Sequence, residues 1–297
     1  MNDSVCCVLV NFRAGADTVA CVKSLLDLER RPERIVVVDN GSGDDSLSVL
    51  RAGLGNRDGV EILENASNSG FAGGCNWGMA HATSTGFMGW FWLLNNDTLA
   101  EPHALQEMLL EAERSQADLV GSLIVDFHDP AKVIGGVWQM SPWTAAVRPV
   151  RGAAVLGPLQ YIEGSSLLIS PACYAKLGGL PEEYFLYFEE SDYCFRARRA
   201  GFRLVHAAKS IIRHQVGRTT GSGKLPGEVP LFADCLMIRN RLVFGRSCQI
   251  PALTLWCGWL YSLLLRLWRG QWSRVKIIIR ISCSPKAFWT FVALHRG

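Results

Sequence analysis

With 297 residues, 49% hydrophobic and 19% charged, the chain is long enough for one large or two small α/β domains and too apolar to be disordered. Its net charge of +3 hides an asymmetry: from Arg246 onward there are eight Lys/Arg and no Asp/Glu, so residues 1–245 carry 22 basic against 27 acidic side chains, a net of −5. An acidic body with a basic tail argues against nucleic acid as a partner, which calls for positive charge on a folded face, and suits a tail meeting an anionic membrane.

Ten scattered cysteines without CxxC spacing read as reduced, buried thiols of a cytosolic protein. The opening Met-Asn-Asp-Ser has no basic region ahead of the apolar run, so no signal peptide is expected.

In chain order, Val5–Asn11 is a buried strand and Asp17–Leu28 a helix with Val19, Val22, Leu25 and Leu26 on one face. Arg34–Asp39 is a second buried strand, followed by a helix over about 44–50 and a short strand at Val60–Leu63. Gly73–Ala82 reads as a helix, Phe91–Leu94 as a strand, and Glu101–Ser115 as a helix with Pro102 in its first turn. This alternation predicts parallel strands joined by crossover helices. In the second half, Gln160–Ser170 reads as one strand, Pro171–Leu177 as a short helix, Glu189–Ala200 as a helix closed by Gly201, and Arg203–Ala207 as a strand. Arg218–Pro230, rich in Gly, Thr, Ser and Pro, reads as a mobile loop, and Phe232–Gly245 as a helix. Ile250–Leu265 has no charge; as a helix it is about 24 Å long against roughly 30 Å of hydrocarbon. A shallow in-plane membrane anchor fits that length, and so does packing on the domain or on a second copy.

Four segments can carry chemistry. The apolar strand at Trp92 ends on Asn95-Asn96-Asp97, which puts one carboxylate at the carboxyl end of a buried strand, where open parallel sheets bind ligands. A hard divalent cation holding a diphosphate, or a cap on the next helix, both account for Asp97. Val38-Asp39-Asn-Gly-Ser42 offers a carboxylate to a nucleobase imide N–H, and equally an Asx-capped turn. The glycine-rich run from Asn68 to Gly78 precedes a helix that can favour phosphate; it is neither GxGxxG nor a P-loop, which counts against a dinucleotide dehydrogenase and a P-loop NTPase. Glu189, Glu190 and Asp192 crowd the start of a helix behind the aromatic approach Tyr184-Phe-Leu-Tyr-Phe188. They are first-turn dipole stabilisers, or acids in a desolvated cleft suited to base chemistry.

In order along the chain, Val8-Leu-Val-Asn-Phe12, Val38-Asp-Asn-Gly-Ser42, Asn68-x-Gly-Phe-Ala-Gly-Gly-x-Asn76, Asn95-Asn-Asp97, Glu163-Gly-Ser-Ser-Leu-Leu-Ile169, Phe185-Leu-Tyr-Phe-Glu-Glu-Ser-Asp-Tyr193, His214 and Arg239-Asn-Arg241 resemble the family 2 glycosyltransferases. Within that family the resemblance is to bacterial rhamnosyltransferase-like members, over residues 4 to 245. It implies a GT-A fold, with a Rossmann-like, mostly parallel sheet flanked by helices, as a catalytic domain over 1–245, leaving 246–297 as a basic, hydrophobic helical tail. It implies an inverting hexosyltransferase that takes a dTDP- or UDP-sugar, dTDP-L-rhamnose foremost, to a lipid-linked glycan for O-antigen, capsule or exopolysaccharide. The enzyme would sit at the inner face of the cell membrane and could pair as a homodimer.

By position, Asn11, Asp39, Asn68, Gly70, Asn76, Asn96 and Asp97 would bind the nucleotide, with Asp39 on the base. Asp97 and His214 would hold Mg²⁺ or Mn²⁺. Glu190 would be the general base, with Glu189 the alternative, and Glu189 and Asp192 would support the acceptor. The family often has two or three acids at the metal triplet, where this chain has Asp97 alone, and often Asp at the base position, where this chain has Glu190. A nucleotidyltransferase is the second enzyme reading, and Asn11-Phe-Arg-Ala-Gly15 is poor as its basic phosphate loop. A glycan-binding scaffold subunit that lost catalysis is the non-enzymatic one.

Overall fold

The computed structural model describes residues 3–55, 57–141, 147–150, 155–215 and 230–295. In chain order its elements are β1 Val5–Asn11, α1 Gly15–Leu26, β2 Arg34–Asp39, α2 Ser46–Leu54, β3 Val60–Glu64, α3 Gly70–Ser84, β4 Trp90–Leu94, β5 Thr98–Ala100, α4 Ala104–Ser115, β6 Leu119–Asp126 and β7 Val133–Gly135. Then come β8 Val137–Met140, β9 Val147–Val150, β10 Gln160–Ile162, β11 Ser166–Ile169, α5 Pro171–Leu177, α6 Glu189–Arg199, β12 Leu204–His214, α7 Leu231–Ser247, α8 Ala252–Trp268, α9 Trp272–Cys283 and α10 Pro285–His295. Among the described residues they build a nine-stranded sheet ordered β3-β2-β1-β4-β11-β6-β12-β5, with β7 on β6, and a small sheet ordered β10-β8-β9.

The first half has the expected α/β alternation. β1, β2, β3 and β4 are parallel. Both faces of this sheet are covered, which is why its strands are apolar without alternation. Cys6, Val8 and Val10 of β1 enter a core with Ala72, Cys75 and Met79 of α3. Val5, Cys7 and Leu9 enter the opposite core with Val22 and Leu25 of α1 and Leu105 and Met108 of α4. Because β2 and β4 flank β1 on opposite sides, the strand order reverses at β1 and opens a crevice at the carboxyl ends of all three.

Beyond β4, in the second half, the sheet turns mixed. β11 runs antiparallel to both β4 and β6, and β5 antiparallel to β12. The single strand read over Gln160–Ser170 is two. β10 belongs to the small sheet and β11 to the large one, with Glu163-Gly164-Ser165 turning between them. The strand read over Arg203–Ala207 continues to His214 through a register shift between Ala207 and Ile211. All but the last residue of the loop expected over Arg218–Pro230 lies outside the described residues.

The tail resolves into α8, α9 and α10, packed on α7. Leu263, Ile278 and Phe288 share a core with Cys235, Leu236 and Ile238 of α7. Asp234 of α7 takes Arg266, and Arg274 at 2.9 Å, so two of the eight tail cations turn inward, and α8 runs past Arg266 to Trp268. Its opposite face leaves Leu253, Trp256, Leu260, Tyr261, Leu264 and Trp268 exposed. No helix among the described residues is long and apolar enough to cross a membrane. Each cysteine is a free thiol; seven are buried, but Cys257 and Cys283 are exposed on the tail helices, against the expectation of burial.

Candidate functional site

Three strand ends meet at the crevice. Asn11 and Asp39 are register partners across β1 and β2, and both are buried. Asn11 Nδ2 donates to Asp39 Oδ1 at 2.7 Å, and Ser42 Oγ donates to the same oxygen at 2.5 Å. Thr18 Oγ1 donates to Asn11 Oδ1 at 2.8 Å, and Asn96 Nδ2 donates to Thr18 Oγ1 at 2.8 Å. Asp39 is therefore oriented by a relay from the β4 end, with both bonds on Oδ1. An acceptor held this way meets an imide N–H without reorganising.

The glycine-rich run is legible as packing. Gly70, Gly74 and Gly78 recur every four residues along α3; a Cβ on Gly74 would lie 2.8 Å from Val10 Cγ1, and one on Gly78 2.5 Å from Val8 Cγ1. Gly70 has φ +80°, and a Cβ there would lie 2.2 Å from Phe185 O. Two leading amides of the helix are already taken: Gly70 N–H by Asn68 Oδ1 at 2.9 Å, and Phe71 N–H by Phe185 O at 2.9 Å. Asn76 stands apart from the strand ends. Its carboxamide pairs with Leu180 N–H and C=O at 2.7 and 2.8 Å and donates to Glu182 Oε1. Asn40 went unassigned in the sequence; it is buried, donates to Gly70 O at 2.9 Å and accepts from Asn65 and Ser69, pinning the turn ahead of α3.

At the β4 end, Asp97 Oδ1 lies 3.1 Å from His214 Nε2, and both side chains are 9% exposed. The β5–β12 pairing sets them side by side: His214 is register partner to Thr98, and Gln215 N–H donates to Asp97 O. Burial works to lower the His214 pKa; the hydrogen bond and charge of Asp97 outweigh it and hold the imidazole above its ordinary value. Glu163, quoted in a motif but given no role, lies on the other side of the ring, with Oε1 4.0 Å from Nδ1.

The acidic helix start is held in an uncommon conformation. Phe185, Tyr187 and Phe188 all have positive φ (65°, 71° and 77°), a region that non-glycine residues avoid. The fully buried Asn240 of α7 opposes it: Nδ2 lies 2.9, 2.8 and 3.1 Å from the carbonyl oxygens of Tyr184, Leu186 and Tyr187. Arg239 donates to Glu183 O at 2.8 Å and lies over the Phe288 ring. This loop delivers Glu190 half-buried against Gly164, where a Cβ would lie 2.9 Å from Glu190 Cγ. Burial pushes the Glu190 pKa up to about 7; hydrogen bonds from its own backbone and Ser191 pull it back, and the charge of Glu163 adds to the rise. Glu189 is buried, Oε2 has no hydrogen-bond partner, and burial followed by the charge of Glu190 puts its pKa well above the usual carboxylate range. Asp192 turns away and accepts from Ser247 Oγ, tying α6 to α7.

Of the positions read from sequence, Asn11, Asp39, Asn96, Asp97, His214 and Glu190 thus ring one crevice, with Gly70 and Asn68 at its edge. Asn76 and Asp192 are engaged elsewhere, and no group of three or more His, Cys, Asp or Glu among the described residues converges as a complete metal site.

The sequence model of Glycosyl transferase family 2 matches residues 6–161. An N-acetylglucosaminyl-diphospho-decaprenol L-rhamnosyltransferase of Mycobacterium tuberculosis is 26% identical over 245 residues, 74% of this chain and 79% of its own. The low-salt glycan biosynthesis hexosyltransferase Agl10 of Haloferax volcanii is 23% identical over 208 residues, 69% of this chain and 64% of its own. Among solved structures, the mannosyltransferase PcManGT of Pyrobaculum calidifontis, in complex with GDP-Man and Mn²⁺, superposes with a TM-score of 0.59 at 12% identity, covering 99% of this chain and 87% of that one, a likeness of fold.

Proposed function

The chain belongs to glycosyl transferase family 2, and from that premise we propose that it is an inverting, metal-dependent transferase moving a sugar to a hydroxyl of a lipid-linked glycan in cell-surface polysaccharide synthesis. The donor in this reading is dTDP-L-rhamnose or a UDP-sugar. The rhamnosyltransferase relative, whose name carries a diphospho-decaprenol acceptor, supports rhamnose and a polyprenyl diphosphate.

One observation carries the proposal: the residues form a closed circuit of contacts around the crevice. Asp39 leads through Asn11, Thr18 and Asn96 to Asp97. Asp97 leads through His214, Glu163 and Gly164 to Glu190. The loop that carries Glu190 returns through Phe185 and Gly70 to Asn40, next to Asp39. In this reading a nucleoside at Asp39 has its diphosphate towards Asp97 and its sugar towards Glu190.

The cation fits the residues present. Asp97 supplies a hard carboxylate and His214 an Nε2, both at one strand end, and the remaining positions fall to donor phosphates and water, as Mg²⁺ and Mn²⁺ accept. Bound there, it would offset the charge that develops on the departing diphosphate. The chain's own work is at the acceptor. The acceptor oxygen attacks the anomeric carbon as the bond to the diphosphate breaks, the hydroxyl proton passes to Glu190, and the nucleoside diphosphate leaves. One in-line displacement inverts the configuration. A carboxylate with a pKa near 7 is matched to that proton transfer at neutral pH. The exposed apolar face of α8, beside exposed Arg269, Lys276 and Arg280, suits an anionic lipid surface where such an acceptor resides.

The test is transfer by the purified full chain across dTDP- and UDP-sugars with Mg²⁺ or Mn²⁺. Expected are metal-dependent transfer to a polyprenyl-diphosphate sugar and, in Glu190→Gln, lost transfer with donor binding kept. Full activity in that variant overturns the base assignment. Pyrophosphate release from a sugar phosphate and a nucleoside triphosphate would establish the nucleotidyltransferase reading instead.

A further inference from the structure

The cation corner is one acid short of a well-charged site, and the His214 ring is half accounted for. Nε2 faces Asp97 Oδ1 at 3.1 Å, whereas Nδ1 is buried without a hydrogen-bond partner, in a side chain nine-tenths buried. Native interiors rarely leave such an atom unsatisfied. The group facing it is Glu163 Oε1, at 4.0 Å, so a side-chain shift of about 1 Å brings the pair to hydrogen-bond distance.

Glu163 is prepared for this from behind. Its Oε2 accepts the Gly136 backbone N–H and the Trp138 indole N–H, both at 2.9 Å. Ser165 Oγ donates to Oε1 at 3.1 Å, alongside the direction of the ring. The chain makes room for this clasp with glycine: a Cβ on Gly135 would lie 1.9 Å from Oε2. The turn that breaks β10 from β11 therefore serves to hold a carboxylate against the rear of the imidazole. Because Glu163 meets the ring nitrogen opposite Asp97, it cannot share a cation bound at Nε2; it acts through the ring.

We propose that Glu163 is a positioning residue for His214: its carboxylate accepts a hydrogen bond from Nδ1–H, fixing the tautomer and ring orientation that present the Nε2 lone pair to the divalent cation beside Asp97. Carboxylate–imidazole pairs of this kind set ligand basicity and orientation in metal sites generally. The second negative charge that the Asn95-Asn96-Asp97 triplet lacks is supplied one shell out, by a residue 66 positions along the chain from Asp97. The same carboxylate adds to the rise of the Glu190 pKa, so one side chain touches both halves of the proposed reaction. The inference rests on Asp97 and His214 as the cation's ligands.

The test reads ring nitrogens and metal affinity rather than turnover. In full-length protein with selectively ¹⁵N-labelled histidine, Mg²⁺ and UDP should leave His214 protonated at Nδ1 and bare at Nε2; the reverse tautomer overturns the proposal. This reading needs no substitution, so it stands whether or not a variant folds. Calorimetry with Mn²⁺ in the presence of UDP should show Glu163→Gln weakened by about 10- to 100-fold, since one carboxamide cannot accept from Gly136 and Trp138 and also from His214. Unchanged Mn²⁺ affinity and an unchanged tautomer in that variant overturn the role of Glu163. Asp97→Ala separates the two claims. Lost Mn²⁺ binding there supports the site on which the inference stands, and wild-type binding there removes both.

Discussion

The two sides of the crevice are built by different physics. On the proposed donor side, Asn11, Asp39, Ser42 and Asn96 sit at or just beyond strand ends and Thr18 in the first turn of α1, each polar group bonded to the next. On the acceptor side, Glu190 follows three non-glycine residues in the left-handed region, beside a carboxylate with an unpartnered oxygen. Each such residue costs on the order of 1–3 kcal/mol and persists only where surrounding contacts over-determine it. Here the constraint comes from Asn240, 56 residues from Tyr184, on a helix buttressed by the tail. The donor side is organised by the sheet, and the acceptor side is imposed from α7. That predicts substitutions that separate cleanly into donor-affinity and turnover defects.

The largest expected effect is at Glu190. Glu190→Gln should lower kcat by about 10²- to 10⁴-fold, the usual contribution of a general base, with donor binding by calorimetry unchanged. In the wild type, kcat/KM should fall as pH drops below about 7, because the base works deprotonated and its pKa is raised. A flat profile through neutrality counts against the assignment. Next is Asn240→Asp, which sets a carboxylate against three carbonyl oxygens. The loop should loosen and kcat drop by roughly 10²-fold, as a misplacement of about 1 Å can cause. Water reaching Glu190 should also shift the acid limb to lower pH, which a merely less stable protein would not show. Smaller again is Asp39→Ala, whose lost charged hydrogen bond, about 1.5–3 kcal/mol, should weaken donor binding some 10- to 100-fold and leave kcat near wild type. If Asn240→Asp damaged donor affinity as much as turnover, the division between the sides would not hold.

The same division explains what was legible in the sequence. The strand-end positions of Asp39 and Asp97 were readable because an apolar run ending on polar residues marks a strand end, and in an open α/β sheet ligands bind at such ends. β6 went unread: Gly121 and Ser122 interrupt its apolar run. In the fold Gly121 admits Ile162, and Ser122 shares a buried hydroxyl chain with Ser166 and Ser210. The break between β10 and β11 was hidden because Tyr161-Ile162 and Ser166–Ile169 are equally apolar, and the intervening Glu163 matters only through a histidine on β12. Phe185-Leu-Tyr-Phe188 shows aromatic composition, but nothing local specifies left-handed backbone; Asn240 does, across the fold. The glycines of α3 look alike whether they admit phosphate or strand side chains, and only packing distances tell them apart.

The smallest effect is also the most direct measure of strain on the acceptor side. Glu189 is buried with Oε2 unpartnered, and its pKa lies well above the ordinary 4.5. Above pH 4.5 the unfolded chain releases this proton while the folded protein keeps it, so the folded state binds more protons and stability falls as pH rises towards the folded value. The slope is at most about 1.4 kcal/mol per pH unit for one proton. Chemical denaturation between about pH 5.5 and 8.5 should show wild-type stability declining with pH, to which Glu190 and His214, also raised, contribute with the same sign, while His206, lowered by burial, works against them. Glu189→Gln removes one of these titrations and leaves the others, so its curve should be flatter by the Glu189 share. Parallel curves would mean that Glu189 ionises in the fold as freely as in the open chain.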